Sequence, residues 1–198
     1  MLYCFARTMF VLMFKYFCKW EVKGLDNLPL DGPVILIANH TSYWDPVVLA
    51  SISERPVHFM AKSELFKIPI FGYVVKRLNA FPVDRKKSDR AAIRAATTVL
   101  NEGKVLGMFP EGTRIRTGEL GEFKMGASLL ATKTGAKIIP VALINTRNIF
   151  SKGLFRKFQV IIKEPYIIEQ NKDKKVTSKR LQEVTQEIKA QIFASMQE

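Results

Sequence analysis

The chain has 198 residues, room for one domain and thin for two, and 47% of them are hydrophobic, enough for a sizeable core. Lys and Arg number 31 against 18 Asp and Glu, and the resulting +13 calls for an anionic partner: nucleic acid, a membrane surface, an acidic protein or a phosphorylated substrate. Two cysteines and two histidines are too few to build a recognisable zinc site, and the chain carries no repeats and no low-complexity tracts.

The first segment, MLYCFARTMFVLMFKYFCKW, has the look of a signal peptide or a transmembrane helix and fits neither. A signal peptide needs a small-residue cleavage site after its apolar run, where this one has Lys19, Trp20 and Glu21. A span needs about 20 apolar residues with few charges, and Lys15 interrupts this one. On a helix turning about 100° per residue, Arg7, Thr8, Lys15 and Lys19 gather on one narrow cationic face, and the rest is Phe, Leu, Met, Val, Tyr and Trp. That pattern suits a helix lying in a lipid interface with its basic side toward anionic headgroups; the alternative is a helix that packs its wide face on the core. Cys4 and Cys18 fall about four turns apart, too far to bridge, and read as apolar fillers in a reducing compartment. Residues 1–21 are therefore expected to form an N-terminal amphipathic, membrane-associating helix, and 22–198 a single domain.

Beyond it, apolar runs of strand length recur at 34–38, 57–61, 80–83, 105–109, 137–143 and 158–162. Most are continuously apolar, as strands covered on both faces should be. Helical patterns lie between or after them at 43–53, 69–77, 88–101, 123–134 and 178–195, with Gly135 as a C-cap and Ser178 as an N-cap. The alternation predicts an α/β fold: a mostly parallel central sheet flanked by helices on both faces. In such sheets ligands bind beyond the carboxyl ends of the strands.

Three polar motifs fall at those ends. NHTSYWDP follows the strand 34–38. His40 can accept a proton at neutral pH if an acceptor holds its other ring nitrogen, and Asp45, five residues on, can return under the imidazole through one helical turn. Taken alone, such a pair could equally be a histidine capping a helix. FPEGTR follows the strand 105–109: Gly112 permits close backbone approach, Arg114 can grip a phosphate with two hydrogen bonds, and Glu111 can hold Arg114 or bond a substrate hydroxyl. Arg85 closes FPVDR, and Lys62 follows the strand 57–61 in the same way. His58 has no acidic neighbour in sequence and reads as structural.

NHTSYWD, FPVDR, FPEGTR and IIPVAL, in that order and spacing over about 33–145, resemble the sequence boxes of the glycerolipid acyltransferases, and within them the bacterial 1-acylglycerol-3-phosphate acyltransferases. GEFKMGASLLATKTG at 121–135 resembles that family's connection between the last two boxes. The resemblance implies that His40 and Asp45 are the catalytic pair. It places Lys62, Arg85, Glu111, Gly112, Thr113 and Arg114 in the acceptor and phosphate site, and Pro140 near the acyl-donor side. The implied reaction moves a fatty acyl group from acyl-CoA or acyl carrier protein to the sn-2 hydroxyl of lysophosphatidic acid, giving phosphatidic acid. No metal and no resident cofactor are expected, and the implied location is the cytoplasmic face of the cell membrane, on an anionic lipid surface. Two features depart from the family pattern: Asn79 stands where it often has Gly, and a single N-terminal helix stands where relatives have two.

Elementary chemistry agrees with that implication. Acylating a hydroxyl with a thioester needs a base, a donor for the oxyanion and a clamp for the acceptor's phosphate. Backbone N–H groups just after His40, or at the start of the next helix, are candidate oxyanion donors. Rival acceptors are glycerol-3-phosphate, another lysolipid or an amino-acid lipid. A nucleic-acid-binding module is a rival of another class, but the basic stretches lack interleaved aromatics and any recognition motif.

Overall fold

The computed structural model describes residues 2–83, 90–117, 119–151, 154–168 and 177–197. In chain order the elements are α1 Leu2–Tyr16, β1 Glu21–Lys23, β2 Val34–Ala38, α2 Asp45–Ile52, β3 Val57–Lys62, α3 Phe71–Arg77, β4 Ala80–Val83, α4 Arg90–Asn101, β5 Val105–Met108, α5 Gly126–Thr134, β6 Lys137–Ile144, β7 Phe150–Ser151, β8 Leu154–Phe155, β9 Gln159–Ile162 and α6 Ser178–Ser195.

Seven strands form one sheet in the order β1-β9-β6-β2-β5-β3-β4. β2 through β6 are mutually parallel; β9 runs antiparallel to β6, and β1 lies parallel to β9 at the edge. The mostly parallel α/β sheet expected from the apolar runs is the one observed. β2 is central and buries all five of its residues. Its alternate side chains feed two cores: Val34, Leu36 and Ala38 pack with Val48, Leu49 and Ile52 of α2, while Ile35 and Ile37 pack with Leu100, Leu130 and Ile188 of α4, α5 and α6. Gly135 closes α5 at φ 68, as expected. The N-cap of α6 is Thr177, not Ser178; the Thr177 hydroxyl accepts the Arg180 N–H at 3.2 Å.

α1 differs from expectation in how it is turned. Arg7 does not face outward with Lys15: its Nε donates to the Ser53 carbonyl, at the C-terminal end of α2, 2.6 Å away. A carbonyl left over at a helix end is a ready acceptor for a guanidinium, and this one draws Arg7 inward. Phe14 is fully buried among Trp20, Trp44 and Phe158, and Cys18 joins the same core, whereas Cys4 is exposed rather than a filler. Thr8 and Lys15 remain exposed as expected, and beside them runs an exposed apolar stripe of Leu2, Phe5, Met9, Leu12 and Tyr16. Among the described residues no helix is long and apolar enough to cross a membrane.

Candidate active site

β2 stops at Ala38 because the next residue leaves the ladder through its side chain. The Asn39 carboxamide donates to the Leu143 carbonyl (2.9 Å) and accepts the Leu143 N–H (2.7 Å), continuing the β2–β6 contact where the backbone turns away. The chain then folds over Asp45, the first residue of α2, which is completely buried. Asp45 Oδ2 accepts from the His40 ring at Nδ1 (2.8 Å) and from the backbone N–H groups of Thr41 and Ser42 (2.7 Å each). Its Oδ1 accepts from the Thr146 hydroxyl. With Asp45 ionised, the imidazole proton sits on Nδ1, and Nε2 keeps its lone pair with no protein partner among the described residues. About a tenth of the His40 side chain is exposed, 10% against 0% for Asp45.

The ring is also held from its face. Gly107 on β5 lies against the Phe59 ring, which comes within 2.3 Å of where a Cβ would stand. Phe59 stacks near-parallel on Phe109 (6.3 Å, 10°), and Phe109 stacks on His40 (4.2 Å, 21°). One missing Cβ on the sheet thus seats the column that supports the imidazole.

FPEGTR reaches the same point from the neighbouring strand. Glu111, which is buried, accepts the His40 N–H at Oε2 (2.7 Å) and the Gly121 N–H at Oε1 (3.1 Å). Ile115 N–H donates to the His40 carbonyl at 2.8 Å. Glu111 therefore ties the β2–α2 loop to two points of its own β5–α5 loop through backbone N–H groups, and neither oxygen holds Arg114, one of the two roles expected for it. Burial pushes the Glu111 carboxyl above the usual range; the two N–H donors oppose this, and the charge of Asp45 adds to it. Gly112 sits at φ 72, the left-handed region, beneath the Lys124 ammonium, which would lie 3.0 Å from a Cβ there. Thr113 is exposed. The Arg114 guanidinium carbon lies 3.3 Å from the centroid of the Tyr43 ring, so a residue inside the NHTSYWD box, and not an acid, positions this arginine.

Not every expected site residue joins this cluster. Lys62 ends β3 and pairs with Glu64 at 3.1 Å, half exposed. Pro140 is buried within β6, in register with Ile37, and its carbonyl accepts the Lys163 N–H. Arg85 lies outside the described residues. His58 Nδ1 donates to the Val105 carbonyl (3.2 Å), as a structural histidine should. Of the expected oxyanion donors, the N–H groups of Thr41 and Ser42 are committed to Asp45, and that of Trp44 to the Ser42 hydroxyl. Thr146, Tyr43, Phe109 and Asn39 went unread as site residues. Asn39, Tyr43 and Phe109 lie inside the NHTSYWDP and FPEGTR motifs, whereas Thr146 lies outside them and left no local signal.

A family model described as Acyltransferase matches residues 19–144. A 1-acyl-sn-glycerol-3-phosphate acyltransferase of Bacillus subtilis is 34% identical, covering 73% of this chain and 72% of the relative. The enzyme of that name from Borreliella burgdorferi is 38% identical over 69% of this chain and 55% of its own length. A chloroplastic one from Arabidopsis thaliana is 35% identical over 69% and 39%. The chain thus spans only about two-fifths to just over half the length of the latter two. The crystal structure of the 1-acyl-sn-glycerophosphate (LPA) acyltransferase PlsC from Thermotoga maritima superposes with a TM-score of 0.73 at 28% identity, covering 98% of this chain and 77% of that one.

Proposed function

This chain belongs to the acyltransferase family, and on that premise we propose that it transfers a fatty acyl group from acyl-CoA or acyl carrier protein to the sn-2 hydroxyl of 1-acylglycerol-3-phosphate, making phosphatidic acid for phospholipid synthesis. The observation that carries this reading is the buried His40–Asp45 pair at the carboxyl end of β2, with Nε2 unpartnered among the described residues. Asp45 fixes the tautomer, so Nε2 is the atom that takes the acceptor's hydroxyl proton. The alkoxide oxygen attacks the thioester carbonyl, the carbon–sulfur bond breaks, and the thiolate recovers the proton from His40. A positioned base of this kind supplies roughly 10²–10⁴-fold of the acceleration.

With the Thr41 and Ser42 N–H groups occupied, we assign the tetrahedral oxyanion to the Thr113 and Arg114 N–H groups, beside the left-handed Gly112. Arg114, held against Tyr43, is the phosphate clamp, and the basic Arg116 and Arg147 beside it raise the local positive field. The thioester is a co-substrate, and the transfer asks for no resident cofactor. The exposed apolar stripe of α1 and the charge of +13 support work on an anionic membrane, at its cytoplasmic face where acyl thioesters are made.

The deciding experiment measures thiol release from palmitoyl-CoA in mixed micelles, with and without lysophosphatidic acid, for wild type and His40→Ala. Release that requires both the lysolipid and His40 supports the proposal. Release with glycerol-3-phosphate alone reassigns the acceptor, and release without any acceptor makes the protein a thioesterase.

A further inference from the structure

α1 is not the only element that leaves apolar surface in water. Between the 3-10 turn Ser63–Lys67 and α3, the Phe71 N–H donates to the Pro69 carbonyl at 2.6 Å and closes a γ-turn around Ile70. Ile70 sits at φ 63, ψ −55. That is the strained hand of the γ-turn, in a region that β-branched residues rarely enter. Strain of this kind persists where something else requires it. Packing does not supply the reason, because Ile70 is 82% exposed, and Ile68, Phe71 and Tyr73 around it are exposed as well. A branched apolar side chain is thus held out by a turn that glycine would make at less cost. In water both the strain and the exposure are unfavourable; in an apolar medium the exposure becomes favourable.

Charge identifies the medium. Lys67 precedes the turn, Lys76 and Arg77 end α3, all three are exposed, and no acidic residue occurs between 65 and 83. Arg77 lies over the Tyr73 ring, 5.1 Å from its centroid. An apolar tip ringed by cations suits the boundary between anionic headgroups and acyl chains. Its place in the fold fits as well. The segment leaves β3 at its carboxyl end, the end at which His40 leaves β2. On the other flank of the site, beyond β6, Phe17 meets Phe155 (5.5 Å) and Phe155 meets Phe150 (5.4 Å), all three exposed. Tyr43, also exposed, follows β2, which lies between β6 and β3 in the sheet.

We propose that Ile68–Tyr73 is a second membrane-insertion element, which seats the Ile70 side chain among the acyl chains of an anionic bilayer so that the rim around His40 faces the lipid. The inference rests on the reading that the acceptor is a membrane lipid.

The test uses the full chain and vesicles of equimolar phosphatidylcholine and phosphatidylglycerol, without substrate. Ile70→Asp should lower the vesicle partition coefficient about tenfold, as loss of one buried apolar side chain does. Ile70→Gly should weaken binding similarly while raising Tm, because it relieves the turn. The emission of Ile70→Trp should shift to the blue on adding vesicles, and thiol release with a short-chain, monodisperse lysophosphatidate should match wild type in all three variants. Unchanged vesicle binding in both Ile70→Asp and Ile70→Gly overturns the insertion. So does a loss of monodisperse turnover, which would make Ile70 a substrate contact, or a dimer dissociated by Ile70→Asp, which would make the patch a contact between copies. Vesicle binding that depends on Ile70 would stand even if no acyl transfer were found, so the two readings fail separately.

Discussion

Thr146 donates its hydroxyl to Oδ1 of Asp45, a residue 101 positions earlier in the chain, and both are completely buried. The bond leaves Oδ2 to His40 and the Thr41 and Ser42 N–H groups, and it fixes the plane of the carboxylate. Thr146→Val keeps the shape and removes the donor, stranding a buried carboxylate oxygen at a cost of about 1–3 kcal/mol. We expect a lower unfolding midpoint and a lower kcat with the acceptor KM unchanged, and Thr146→Ser should restore both. A Thr146→Val variant with wild-type kcat would show that the other three donors hold Asp45 unaided.

His40→Ala should reduce kcat by roughly 10²–10⁴-fold while the circular dichroism spectrum stays that of wild type. Asp45→Asn should be slow for a different reason. An amide placed at Oδ2 turns a donor toward the N–H groups of Thr41 and Ser42, so that variant should also unfold at lower denaturant.

The contact of Arg114 with Tyr43 separates positioning from charge. Arg114→Lys keeps the charge and loses both the planar stack and the bidentate fork, so the acceptor KM should rise with the thioester KM unaffected. Tyr43→Leu removes a contact of about 0.5–2 kcal/mol and should raise the acceptor KM by a smaller factor. Steady-state kinetics with each substrate varied in turn distinguish the two.

Glu111 gives the protein a pH dependence of predictable sign. Burial raises its carboxyl above the ordinary carboxylate value of about 4.3. A carboxyl raised on folding contributes stability that is fully present below the ordinary value and is lost as the pH rises through the raised one. Glu111→Gln cannot titrate and lacks that slope. Urea midpoints of the two proteins, followed from about pH 4 to pH 8, should show wild type at its greatest relative advantage at the acid end, shrinking as pH rises. A constant offset across the range would contradict the raised carboxyl.

Asn79 has φ 63 in the turn before β4. Asn tolerates the left-handed region better than other non-glycine residues, which is why it can hold this turn. Asn79→Gly should be near neutral, and Asn79→Val should cost about 1–2 kcal/mol in chemical denaturation.

Much of this molecule was readable along the chain, and for a definite reason. Strand and helix assignments rest on continuous or periodic apolar residues, which are local, so VILIA became β2, and of Leu181, Val184, Ile188 and Ile192, spaced as one helical stripe, the last three are buried and Leu181 partly so on the inner face of α6. The His40–Asp45 bond was also readable, because five residues and one helical turn span it. What the chain could not reveal are the contacts whose partners are brought together only by strand order. With β2 between β5 and β6, the ends of three strands meet. That meeting brings Thr146 under Asp45, turns Glu111 from a substrate group into a tie between loops, and lets Gly107 seat Phe59 and Phe109 beneath the imidazole. Arg7 shows the same limit: its helical face was correct as geometry, but the free carbonyl of Ser53 decided which way it points. Periodicity determines what each segment becomes, and only the packed sheet decides which polar atoms find one another.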